Sequence, residues 1–173
     1  VKLSKLSNDL RLLSSGPRTG LGEINLPSMQ PGSSIMPGKV NPVIPEAMNQ
    51  TAFQVIGTDM TVTMAAEAGQ LQLNAMEPLI IYNLLNNCRM LEKSIRMLDT
   101  LCIQGITANE ERCTQHVENS IGIVTALVPY IGYDNASRIA GKALLTGKGV
   151  AELVTEEQLL SEEELATFYR PKP

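Results

Sequence analysis

The stretch Leu79 to Ile106, LIIYNLLNNCRMLEKSIRMLDTLCIQGI, decides the fold class. Ile81, Leu84, Cys88, Leu91, Ile95, Leu98 and Cys102 recur at alternating steps of three and four, which places them in one unbroken heptad seam on a helix. No glycine or proline interrupts the run before Gly105. A helix of this length would extend roughly 40 Å, too far for a small domain to cover. The spacing therefore predicts a helical bundle shared between subunits.

Upstream, Ala47, Met48, Ala52, Val55, Ile56, Met60, Val62 and Met64 form a broad apolar helical face that starts after Asn41-Pro42 and reaches about Ala68. Asparagine is a good N-cap and proline suits the first helical position, so Asn41 is expected to cap this helix. EAGQLQLNAMEP, with Gly69 and Pro78, separates it from the seam helix. At the start of the chain Leu3, Leu6, Leu10 and Leu13 line one face of an amphipathic helix that stops at Ser14-Ser15-Gly16-Pro17. Beyond Gly105, Thr107-Ala108-Asn109-Glu110 reads as a capping box and marks a domain boundary, with 1–106 and 107–173 as the two parts. Short helices follow over 109–118, 120–128, 134–146 and 150–153, broken at Pro129, Gly132 and Gly147-Lys148-Gly149. Ser161-Glu162-Glu163-Glu164 opens a last one. The expected class is all-α, a central helical-bundle domain followed by a small helical C-terminal domain.

Composition narrows the function. The chain of 173 residues is 43% hydrophobic and 18% charged with a net charge of −4, which disfavours both disorder and a nucleic-acid surface. There is no Trp, and no apolar run approaches the roughly 20 residues of a membrane span. Cys88, Cys102 and Cys113 show neither CxxC spacing nor an even count, so no disulfide frame or zinc site is expected and a reducing cytoplasm fits. The chain begins at Val1 inside a helical pattern, which suggests a piece of a longer protein.

The segment between the first two helices is long for a connector, since loops beyond about 12–15 residues are uncommon without a function. It contains Gly32 to Pro42, GSSIMPGKVNP, with two serines, a lysine and an asparagine. Hydroxyls, one cation and an amide beside a helix start are what a carboxylate site needs. On composition alone a Gly/Ser/Pro turn with a solvated lysine is the simpler reading. His116 has no nucleophile or carboxylate placed near it in sequence and reads as a surface residue, and the cysteines read as small apolar side chains.

GSSIMPGKVNP resembles the signature loop of the fumarase/aspartase superfamily, and the resemblance extends from LSNDLRLLSSGPR through GLGEINLP to NSIGIVTALVPYIGYD. Ala65 to Pro78, AAEAGQLQLNAMEP, is similar to the branch that removes ammonia from L-aspartate; fumarate-hydrating members carry a Gly-Asn-Phe pattern there. The resemblance implies reversible elimination to fumarate without an organic cofactor, on a small dicarboxylate substrate, in a homotetramer whose active sites each draw on three subunits. Activation by a divalent cation stays open. By matched position Ser33 would be the base for the C3 proton, and Ser34 with its neighbouring amides would stabilise the enediolate. Lys39 and Asn41 would hold a substrate carboxylate, with Ile35 and Met36 beside them in the substrate-contacting loop, and Glu46 would support the site. The superfamily's other substrate-binding segments have no counterpart in this stretch, so the chain alone is expected to lack activity. The fumarate-hydrating branch, and a non-catalytic oligomerisation module, are the alternatives.

Overall fold

The computed structural model describes residues 1–30 and 40–169, and in them the chain forms eight α-helices and two short strands. The all-α class expected from the periodicity is the observed one. Two compact units result, Val1–Asn109 and Glu110–Pro173.

The first unit contains α1 (Lys2–Leu13), β1 (Ile24–Asn25), α2 (Val43–Glu67), α3 (Glu77–Leu101), a 3-10 turn (Ile103–Gly105) and β2 (Thr107–Ala108). Helix α1 ends at Ser14, whose amide and hydroxyl both donate to the Leu10 carbonyl. Its buried face is Ser4, Ser7 and Leu10, with Leu3 of the leucine stripe packed against the same core and Leu6 exposed. Helix α1 packs on α2, and small serines at this contact leave room for Asn49 of α2 to reach Ser4.

Helix α2 starts one residue later than Asn41 capping would have it. Pro42 occupies the cap position with φ −79° and ψ 56°, outside the helical region, and the Asn41 side chain does not cap. Pro45 then falls in the first turn, where no intrahelical acceptor is missed. At its other end Asn74 organises the connector: its Nδ2 donates to the Ala65 carbonyl (2.9 Å) and its Oδ1 accepts from the Met76 amide (2.7 Å). Gln70 and Leu73 exchange main-chain hydrogen bonds across the turn.

Helix α3 runs back along α2. Met48 and Leu98 share one core cluster with Leu10 and Cys102, and Thr51 Oγ1 meets Ser94 Oγ at 2.9 Å. Only the last part of the heptad seam is used here. Leu98 and Cys102 are buried, whereas Ile81, Leu84, Cys88 and Ile95 are exposed. The side of α3 turned inward carries half-buried Asn83, Asn86, Asn87 and Ser94. Thr107, expected to open a helix, lies instead in β2, which pairs antiparallel with β1. A strand of two residues, paired across more than eighty positions, leaves no periodicity to detect.

The second unit contains α4 (Glu110–Glu118), a 3-10 turn (Ile121–Ile123), α5 (Val124–Ile131), α6 (Tyr133–Thr146), α7 (Val150–Glu156) and α8 (Glu162–Tyr169). Leu127, Ile139, Val150, Leu153, Val154 and Leu165 form its core. Helix α5 continues through Pro129 because Leu127 and Ile131 anchor it in that core on either side. The break comes at Gly132, whose φ of +79° suits glycine, and a second one at Gly147 with φ +73°. Lys148 of the Gly-Lys-Gly turn pairs with Glu156 and Glu152 of α7, and these hydrogen bonds, chiefly that with Glu156, raise its pKa above the ordinary lysine value. Ser161 and Glu164 form a reciprocal capping box at the start of α8: the Ser161 amide donates to Glu164 Oε2 (2.8 Å) and the Glu164 amide to Ser161 Oγ (3.3 Å).

Candidate active site

Ser33, Ser34, Ile35, Met36 and Lys39 lie outside the described residues, and so does most of the signature loop. The structure places its two roots and the residues around them. On the upstream side, α1 ends in Ser14 and Ser15, and the chain turns back so tightly that a Cβ on Gly20 would stand 2.3 Å from the Ser15 carbonyl group. Only glycine fits there.

The antiparallel pair β1 and β2 follows. Asn25 and Asn109 clasp each other across it: Asn25 Nδ2 donates to Asn109 Oδ1 at 2.5 Å, and Asn109 Nδ2 donates to the Gly22 carbonyl at 2.7 Å. On the downstream side Val40 and Pro42 lead into α2. These roots, with Ser14, Ser15, Asn25 and Asn109, border a cavity of about 310 Å³. Its polar walls are already committed. Ser14 Oγ donates to the Leu10 carbonyl, and Ser15 Oγ donates to the Leu12 carbonyl while accepting from the Leu21 amide. Among the described residues the cavity lining carries no ionisable side chain, so these described walls offer a dianion no charged partner.

Asn41 is half-buried at the mouth of α2, and its carbonyl accepts from the Val43 amide at 2.8 Å. Prolines at 42 and 45 have no N–H, so Ile44 is the one position in the first turn whose amide could face a ligand. The helix start thus offers less to an anion than the sequence pattern suggests. Asn41 keeps a side-chain amide free of the capping role.

Glu46 stands in the first turn of α2, where a carboxylate is favoured by the helix dipole. Arg11 of α1 lies 4.0 Å from it. Arg11 also reaches Asn49, which is buried and donates to the Ser4 carbonyl (3.1 Å) and hydroxyl (3.0 Å). Sequence reasoning passed over Arg11, Asn49 and Ser4. One signal was available: Asn49 sits between Met48 and Ala52 on an apolar helical face, and asparagine is a poor choice there without a specific partner.

The remaining candidates stay apart from this region in character. Burial pushes the Cys102 thiol pKa up, which keeps it protonated and suits a core residue. Cys88 is exposed on α3 and Cys113 half-buried on α4, and neither is in a disulfide. His116 is half-buried in α4 rather than on the open surface. Among the described residues no group of three or more His, Cys, Asp or Glu side chains converges as a metal site would require, and no helix is long and apolar enough to cross a membrane.

Comparison with known proteins points one way. A lyase family model matches residues 1–57, and a fumarase C C-terminus model matches residues 123–173. The chain is 66% identical over 172 residues to an aspartate ammonia-lyase of Pseudomonas aeruginosa, covering 99% of this chain and 36% of the relative. It is 57% identical to that of Helicobacter pylori (99% and 37% covered) and 52% identical to that of Bacillus subtilis (99% and 36%). The chain therefore spans little more than a third of the length of these curated relatives.

Among solved structures, a fumarate lyase:delta crystallin from Brucella melitensis, bound to cobalt, superposes with a TM-score of 0.91 at 59% identity, over 96% of this chain and 36% of that one. A class II fumarase from Schistosoma mansoni gives 0.84 at 43% identity, over 98% and 35%. With nearly all of its residues matched in this way, the chain fits a part of a fumarase/aspartase superfamily protein.

Proposed function

We infer that the protein carrying this chain is an aspartate ammonia-lyase, which reversibly deaminates L-aspartate to fumarate and ammonia. The observation that carries the reading is identity of 52–66% across almost the entire chain to enzymes of that name. The structure named as a class II fumarase lies lower, at 43%.

In the proposed mechanism Ser33 removes the C3 proton and the loop amides with Ser34 stabilise the doubly charged enediolate carboxylate. Lys39 and Asn41 hold a substrate carboxylate beside Ile35 and Met36, and Glu46 supports the site. The C3 proton is weakly acidic, so charge must be received by donors aimed in advance. A serine serves as base only where its oxyanion is stabilised and water is excluded. Ammonia leaves once the carbanion's electron pair forms the double bond of fumarate.

The exposed seam of α3 supports association with further copies of the chain, as does the apolar face of α2 with Phe53, Met60 and Met64 exposed. We assign residues 1–106 to the end of a central bundle domain, 107–173 to a small C-terminal domain, the assembly to a homotetramer and the compartment to the cytoplasm. The decisive experiment gives the purified full-length protein aspartate and malate separately and follows fumarate. Turnover of aspartate alone is expected; turnover of malate alone makes it a fumarate hydratase. Ser33→Ala in the same protein is expected to lower the aspartate rate by several orders of magnitude, while an unchanged rate would favour a non-catalytic association module. The 173-residue chain by itself is expected to be inactive.

A further inference from the structure

Glu46 is held from outside its own helix. The Arg11 guanidinium, on the last turn of α1, lies 3.5 Å from Asn8 Oδ1, 3.5 Å from Asn49 Oδ1 and 4.0 Å from Glu46 Oε1. Asn49 follows Glu46 by three residues, hence on the same side of α2, and is 3% exposed. Its amide nitrogen donates to both the carbonyl and the hydroxyl of Ser4. With the nitrogen committed to Ser4, the oxygen end of the Asn49 amide is the one turned to Arg11. Contacts therefore run from a buried anchor, Ser4 with Asn49, through Arg11 to a carboxylate near the downstream root of the signature loop.

The exposures separate orientation from stability. Arg11 and Glu46 are 42% and 40% exposed, and a pair of that kind contributes little to folding. Asn49, by contrast, is locked in a place where an unmade hydrogen bond is costly. A rigid anchor coupled to a weak outer pair restricts the direction of the carboxylate more than it stabilises the fold.

We propose that Arg11, oriented by Asn49, is a positioning residue for the Glu46 carboxylate in the lyase reaction, an inference that rests on Glu46 supporting the site. A guanidinium beside the carboxylate favours the Glu46 rotamers that face it, and Arg11 itself need not touch the reacting atoms. Misplacing a group near reacting atoms by about 1 Å costs on the order of a hundredfold in rate. Loss of the Arg11 charge is therefore expected to reduce kcat by about ten- to a hundredfold and to leave KM little changed.

The test uses the full-length lyase containing this chain, with Glu46→Gln, Arg11→Gln, Arg11→Lys and the double variant Glu46→Gln/Arg11→Gln. Fumarate formation from aspartate gives kcat and KM, and thermal unfolding with size-exclusion chromatography checks each fold. Arg11→Gln is expected to lower kcat, Arg11→Lys to recover part of it, and the double variant to be no slower than Glu46→Gln alone, because both changes act through one carboxylate. A slow Glu46→Gln beside an unaffected Arg11→Gln overturns the positioning role while leaving the reading of Glu46 intact, and so do losses that multiply in the double variant. An unaffected Glu46→Gln refutes the supporting role of Glu46 itself and the proposal with it. Should Arg11→Gln fail to fold, Arg11→Met, which keeps the aliphatic stem, makes the same comparison.

Discussion

Replacing Asn49 by alanine tests whether α1 is fastened to α2 by a single buried amide. The Asn49 side chain is 3% exposed and donates twice to Ser4, at 3.1 Å to its carbonyl and 3.0 Å to its hydroxyl. A net value of about 0.5–1.5 kcal/mol for each hydrogen bond puts the loss at about 1–3 kcal/mol. Ser4 is itself buried, so water would not readily replace the lost donor, and the upper half of that range is expected. Amide hydrogen exchange on the 173-residue chain reads the effect locally. At a factor of ten for every 1.4 kcal/mol, amides in α1 should exchange about 30- to 150-fold faster in Asn49→Ala. Amides of α5 and α6, in the other unit, should be unaffected. Asn49→Asp is nearly isosteric but sets a carboxylate against the Ser4 carbonyl, so it should destabilise α1 further at neutral pH and less in acid, where a protonated carboxyl can donate again. Unchanged exchange in α1 for a folded Asn49→Ala, or equal effects in both units, would refute this account of the contact.

In the second unit Ile139 is fully buried, and Ile139→Ala should cost about 2–5 kcal/mol, visible as a lower urea midpoint for the loss of α5 to α7. Glu157 links α7 to α6, and its pKa is lowered chiefly by the hydrogen bond from Lys142 and secondarily by Arg138. A depressed carboxylate pKa stabilises the fold above the ordinary value of 4.5, and the contribution disappears as pH falls through the lowered folded value. The stability gap between the parent chain and Glu157→Gln should therefore be present at neutral pH and close on acidification below that value, as followed by urea unfolding across a pH series.

Helix content was readable wherever one face of a helix repeats along the chain. The span of α2 and the reciprocal Ser161–Glu164 cap follow from local rules, because hydrogen bonds within a helix join residues a few positions apart. The signature loop was recognisable as a string of residues. Which faces pack was not readable. Leucines at 3 and 6 look equivalent in the pattern, yet α2 settles against the serine side of α1 and leaves Leu6 outside. The heptad seam of α3 is the strongest pattern in the chain and is used inside this unit only towards its C-terminal end, at Leu91, Leu98 and Cys102, while asparagines face inward.

The division follows the range of the forces. Periodicity, turn residues and caps act between neighbours, so amino-acid order alone sufficed for an all-α chain with a superfamily loop between its first two helices. Contacts joining Asn25 to Asn109, Thr51 to Ser94 and Arg11 to Glu46 connect residues far apart in the chain. They exist because chain folding brings small side chains close enough for polar groups to meet, and no local spacing encodes that approach. The loss of the Val43 amide to the Asn41 carbonyl at the mouth of α2, and the buried anchor behind Glu46, became visible only once the chain was folded.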